Sequence, residues 1–61
     1  MENTNIILNN ILIDLQSEID IAKKMKENCI KQQYTDGMVA NQAAIAGLES
    51  AIEIVKKYQS A

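Results

Sequence analysis

Two pairs of carboxylates and one thiol are the groups in this chain with chemistry to offer. Asp14 with Glu18, and Glu49 with Glu53, stand four residues apart, which places each pair on one face of a helix. A hairpin would also bring Glu18 towards Glu53. Facing carboxylate helices are the donor set of a di-metal bundle, but such a centre adds Glu-x-x-His motifs, and the chain has no histidine. The same absence removes the commonest general base. The expectation is a solvated acidic face with no metal ligands. Cys29 is the only cysteine, so no second thiol can resolve it and no base stands ready to activate it; it reads as a small core residue. Lys23, Lys24, Lys26 and Lys31 are the one basic cluster, yet Glu27 interrupts them and their helical angles diverge. A solvated face is favoured over a phosphate-binding patch, and no Gly-rich nucleotide loop is present. No catalytic, cofactor-binding or metal-binding residue is expected, and the chain is read as non-enzymatic.

The elements that position these groups follow from periodicity. Leu8, Ile11, Leu12, Leu15, Ile19, Ala22, Met25 and Cys29 recur at three- and four-residue steps, and Asn41, Ile45, Leu48, Ile52, Val55 and Gln59 do so again after Tyr34-Thr35-Asp36-Gly37, each the signature of one helix face. This predicts an all-α antiparallel two-helix hairpin in one domain, residues 1–61, with helix one over about 5–33, a turn at about 34–37 and helix two over about 38–59. A short strand over 6–8 is the other reading of the first turns. Thr4 or Asn5 would cap helix one, and Thr35 or Asp36 helix two; with Thr35 as cap, Tyr34 and Val39 occupy hydrophobic-staple positions. Gly37 is the candidate for a left-handed residue ending helix one.

The intrachain core is expected from Leu12, Leu15, Ile19, Ala22, Met25 and Cys29 on helix one, and Ile45, Leu48, Ile52 and Val55 on helix two. A turn centred near Thr35 and Asp36 sets Leu12 near Tyr58, Ile19 near Ile52, Ala22 near Leu48 and Met25 near Ile45, with Asp14 beside Lys56 and Lys57, and Lys23 and Lys26 near Glu49. Tyr58 would cover the open end.

Both helices carry more apolar surface than one partner can use. Beside its large-residue stripe, helix two has Ala40, Ala43, Ala44, Gly47 and Ala51 continuing into Ile54 and Tyr58, and the i, i+4, i+8 spacing of Ala43, Gly47 and Ala51 permits close backbone approach. Ile6, Ile13 and Ile21 lie off the helix-one stripe. The same register sets Ala61 opposite Asn10, so that Ile6, Ile7 and Leu8 overhang helix two. At 61 residues, a chain buries only about 60% of the surface its unfolded form exposes. With disulfide and zinc staples excluded, oligomerisation remains. A homodimeric four-helix bundle is expected, its interface drawn from Ile6, Ile7, Leu8, Ile13, Ala40, Ala43, Gly47, Ala51, Ile54 and Tyr58.

Eight acids against six basic residues give a net charge of −2, which disfavours a nucleic-acid partner. All six are lysine, so bidentate reading of bases or phosphates is also lost. Met1-Glu2-Asn3-Thr4 lacks the basic stretch of a secretory signal, and Asn9, Asn10 and Asp14 break the apolar run after it. A cytoplasmic protein with no membrane association is expected. The lysine, isoleucine and asparagine bias fits AT-rich codons, as in a low-GC bacterium or its phages. Residues 21–58, with the Tyr34 turn, the alanine-rich helix, Gly47-Leu48-Glu49 and a lysine-rich end, resemble the small helical-hairpin proteins of Gram-positive phages and prophages. That resemblance implies a binding protein, as some phage proteins of this size are counter-defence inhibitors of a host protein; joined to the expected dimer, it gives a homo-oligomeric inhibitor. The alternative is an RNA-binding hairpin dimer of the plasmid copy-control type.

Overall fold

The periodic halves fold as two helices packed in a hairpin. The computed structural model describes residues 2–60, with side chains over 3–59. Helix α1 spans Glu2–Lys31 and α2 spans Thr35–Ser60, and they run side by side in a body measuring 48 × 14 × 10 Å. No strand occurs among the described residues, so the run at 6–8 is helical.

Covered side chains define the contact. In α1 they are Leu8, Leu12, Leu15, Ile19, Ala22, Lys26 and Cys29, steps of four and three in strict alternation. In α2 the steps continue through Met38, Asn41, Ile45, Leu48, Ile52, Val55 and Gln59, joined by Gly37 and Ala51. A repeat of 3.5 residues is the seam of a coiled coil, whose a and d positions face the partner helix. Leu12, Ile19 and Lys26 take a in α1; Met38, Ile45, Ile52 and Gln59 take it in α2. The buried centre is small. Ile19, Ala22 and Ile45 are 3%, 7% and 5% exposed, with Leu48 and Ile52 packed against them.

This frame displaces Met25 from the expected core. It is 52% exposed, and its neighbour Lys26 enters the seam instead. The lysine stem packs while its ammonium stays polar, donating to Gln42 Oε1 at 2.6 Å rather than reaching towards Glu49.

The turn is earlier and tighter than expected, and it shifts the register by about three residues. Gln33 N–H donates to the Ile30 carbonyl at 3.1 Å and Tyr34 N–H to that of Cys29 at 2.8 Å, the paired bonds of a Schellman motif. Its left-handed residue is Gln33, with φ of 58°; Gly37 has no positive φ. The Tyr34 carbonyl then accepts from Met38 N–H at 3.2 Å, opening α2 at Thr35. Thr35 and Asp36 are therefore in the first turn, where Asp36 suits the helix dipole. Helix α1 likewise starts at Glu2, ahead of Thr4 and Asn5. At the far end, Gln59 Nε2 donates to Asn9 Oδ1 at 2.6 Å. Leu8 thus belongs to the intrachain seam, half-buried, and only Ile6 and Ile7 remain exposed beyond it. Tyr58 is 71% exposed and does not cover Leu12.

Gly37 serves close approach. A Cβ there would stand 2.5 Å from Cys29 Sγ and 2.7 Å from the Tyr34 ring, so the ring lies over Gly37, while Val39 is exposed. Asn41 closes the same corner, donating to the Gly37 carbonyl at 2.8 Å. Gly37→Ala is expected to lower stability by about 1–3 kcal/mol, the usual cost of overpacking, and Cys29→Ala in the same chain to restore part of it in denaturant titrations. Gln33→Gly should have the opposite sign. Relief of the left-handed penalty, less the added freedom of the unfolded chain, gives a gain of about 0.5–1 kcal/mol. A raised melting temperature checks it.

Candidate self-association face

A two-stranded antiparallel seam has two flanks, because e positions of one helix lie beside e positions of the other, and g beside g. On the e flank, Gln16 and Lys23 of α1 line an open cleft with Glu49, Glu53 and Lys56 of α2, over Ile19 and Ile52. The bonds from Gln59 to Asn9 and from Lys26 to Gln42 lie on this flank too. Nearer the turn it becomes apolar, in a groove lined by Lys26, Met38, Val39, Gln42, Ala43 and Ala46.

The g flank is different. Its α1 stripe of c and g positions runs Ile7, Ile11, Asp14, Glu18, Ile21, Met25, and its α2 stripe runs Ala40, Ala44, Gly47, Ala51, Ile54, Tyr58. Of these only Ala51 is partly covered. A Cβ built on Gly47 would meet nothing within 4 Å, so no intrachain approach explains a glycine that costs about 1 kcal/mol of helix propensity against alanine.

Among the residues expected at a self-association interface, the fold gathers Ile7, Ala40, Gly47, Ala51, Ile54 and Tyr58 on this flank. Leu8 is taken by the seam, and Ile6, Ile13 and Ala43 are exposed at positions outside it. The expected interface leaves out Ile11, Ile21, Met25 and Ala44, which the c and g positions of the frame assign to this flank.

The chemistry-bearing groups are not brought together. Asp14 and Glu18 lie on the g flank, Glu53 on the e flank with Lys23 and Lys56, so the hairpin separates Glu18 from Glu53. Among the described residues, no three histidines, cysteines or acids are grouped to hold a metal. Cys29 is half-buried at the turn corner, with Asn41 Nδ2 3.9 Å from its sulfur. Lys23, Lys24, Lys26 and Lys31 fall at e, f, a and f positions and share no one surface. No helix among the described residues is long and apolar enough to cross a membrane. Compared with family models, curated proteins and solved structures, the chain matches none.

Gly47→Leu is expected to weaken assembly more than Ser50→Leu, since Ser50 stands at f, away from both flanks. A large side chain forced into a close contact costs about 1–3 kcal/mol. Sedimentation at matched concentration separates the two variants, and equal behaviour would remove Gly47 from the interface.

Proposed function

We propose that the chain is a non-enzymatic protein-binding module acting as a homo-oligomer, of the kind phages use in the host cytoplasm to inhibit a host defence protein. Its surface carries the reading. A compact chain of 6.8 kDa exposes about 3,950 Å², whereas this one exposes 4782 Å², an excess of about 800 Å². That is about what one partner contributes to a protein interface of standard size. Three buried side chains among the described residues leave the isolated hairpin with little to offset its chain entropy, and a second copy supplies the missing contact. The inhibitor role is supported by the resemblance of residues 21–58 to phage hairpin proteins.

Sedimentation equilibrium over a hundredfold concentration range tests the first part, with a dimer expected. For the second, the tagged chain is used as bait in extract of a low-GC bacterium, with and without nuclease. A host protein retained after nuclease, and rebinding when purified, supports the inhibitor reading; recovery of RNA alone, lost on nuclease treatment, replaces it with the RNA-binding hairpin.

A further inference from the structure

The g flank divides size and charge unequally between its helices. Helix α1 supplies large side chains at both ends of its stripe, Ile7 and Ile11, then Ile21 and Met25, with Asp14 and Glu18 between them. Helix α2 supplies Ala40, Ala44, Gly47 and Ala51 before ending in Ile54 and Tyr58. We infer that a second copy of the chain covers this flank with the helices exchanged, α1 of each copy lying on α2 of the other. The inference rests on the self-association proposed above and specifies its geometry.

Charge decides between the packings. If α1 lay on α1 across a two-fold axis, setting Ile7 and Ile11 against the partner's Met25 and Ile21 would set Asp14 against the partner's Glu18, and the reverse. Four carboxylates would then share one contact from which water is largely excluded, where like charges repel most strongly. Exchange avoids this. Because both copies present the same flank, the two-fold axis that exchanges the helices runs along them and sets α1 antiparallel to the partner's α2. Ile11 then meets Ile54, Ile21 meets Ala44, and the acids lie over Gly47 and Ala51. The open space above Gly47 admits a carboxylate stem and leaves its oxygens room to reach water. The area also fits, because the excess surface of one chain matches the share of one partner in a standard interface. The e flank, with its charged cleft, stays outside the bundle.

Cysteine cross-linking in the full chain tests the arrangement. In a Cys29→Ser background whose folding is checked by circular dichroism, Ile11→Cys chains are mixed in turn with Ile21→Cys, Ala44→Cys and Ile54→Cys chains under mild oxidation. Each chain then holds one thiol, so every mixed disulfide reports contact between copies. The expected result is coupling of Ile11→Cys to Ile54→Cys at least tenfold faster than to Ile21→Cys or to Ala44→Cys, and fastest coupling to Ala44→Cys would overturn the arrangement. Fastest coupling to Ile21→Cys would put α1 on α1 and overturn the exchange. Slow coupling to all three, with dimer still seen by sedimentation, would overturn the g flank as the interface while leaving self-association standing. A Cys29→Ser parent that folds but sediments as a monomer at every concentration would remove the self-association reading and this arrangement with it.

Discussion

Ile45→Ala is expected to leave the chain largely unfolded at micromolar concentration. Ile45 is one of three buried side chains among the described residues and is packed with the other two, Ile19 and Ala22. Truncating a buried isoleucine costs about 2–5 kcal/mol, part transfer and part residual cavity. For a domain of this length the whole stability is only about 3–9 kcal/mol, so a single deletion consumes most of it at the lower end. A seam between two helices also offers few neighbours that could collapse into the space. Ile54→Ala removes the same atoms from an exposed site and provides the comparison, with little change expected in the helicity of dilute chain. Far-ultraviolet circular dichroism across a denaturant series reads both variants. If Ile45→Ala retains the parent's midpoint, the stability of the chain lies elsewhere than in this seam.

The contrast between Ile45 and Met25 also shows what the sequence discloses. Ile19, Ala22 and Ile45 announce themselves, because apolar type and helical period agree at each of them. Met25 and Lys26 set type against frame. An ideal helix of 3.6 residues per turn drifts by about 20° per heptad from a 3.5 repeat; in this hairpin the covered positions keep the strict alternation of steps, which puts Lys26, not Met25, against α2. The lysine is tolerated because its stem is apolar and Gln42 receives its ammonium. Turn chemistry misdirects in a similar way. Gly37 is the residue that best tolerates a left-handed backbone, yet Gln33 adopts it, and Gly37 is held by proximity to Cys29 and Tyr34. Proximity of that kind depends on how the first turn of α2 crosses the end of α1, which no local propensity encodes. The shift from a turn at 34–37 to one ending at Tyr34 then accounts for the rest: Leu8 moves into the seam, and Lys26 meets Gln42 instead of Glu49. The small-residue stripe is legible from spacing alone. Its large-residue counterpart is not, since Ile11 and Met25 share the three- and four-residue steps of the core stripe and only the frame of the seam sets them at g positions.

Ile11→Asp with Ile21→Asp should convert the protein to a monomer. In the isolated hairpin these side chains are 40% and 52% exposed, and substitutions at such sites away from special features usually change stability by no more than about 0.5 kcal/mol. In the proposed bundle the same positions would be covered by the partner's α2, where an unpaired carboxylate costs several kcal/mol even after relaxation. Each dimer would bury four of them, beside Asp14 and Glu18. The hairpin alone therefore predicts almost no effect, and the exchanged bundle predicts loss of assembly, a separation far larger than experimental error. Because assembly stabilises the folded chain by mass action, the variant should also melt at a temperature that no longer rises with concentration, while the parent's continues to rise. Ser50→Asp, at an f position, is the matched control for added charge. Should the double variant sediment and melt as the parent does over a hundredfold range of concentration, Ile11 and Ile21 face solvent in the working protein, and the surface that a second copy covers must be sought on the e flank.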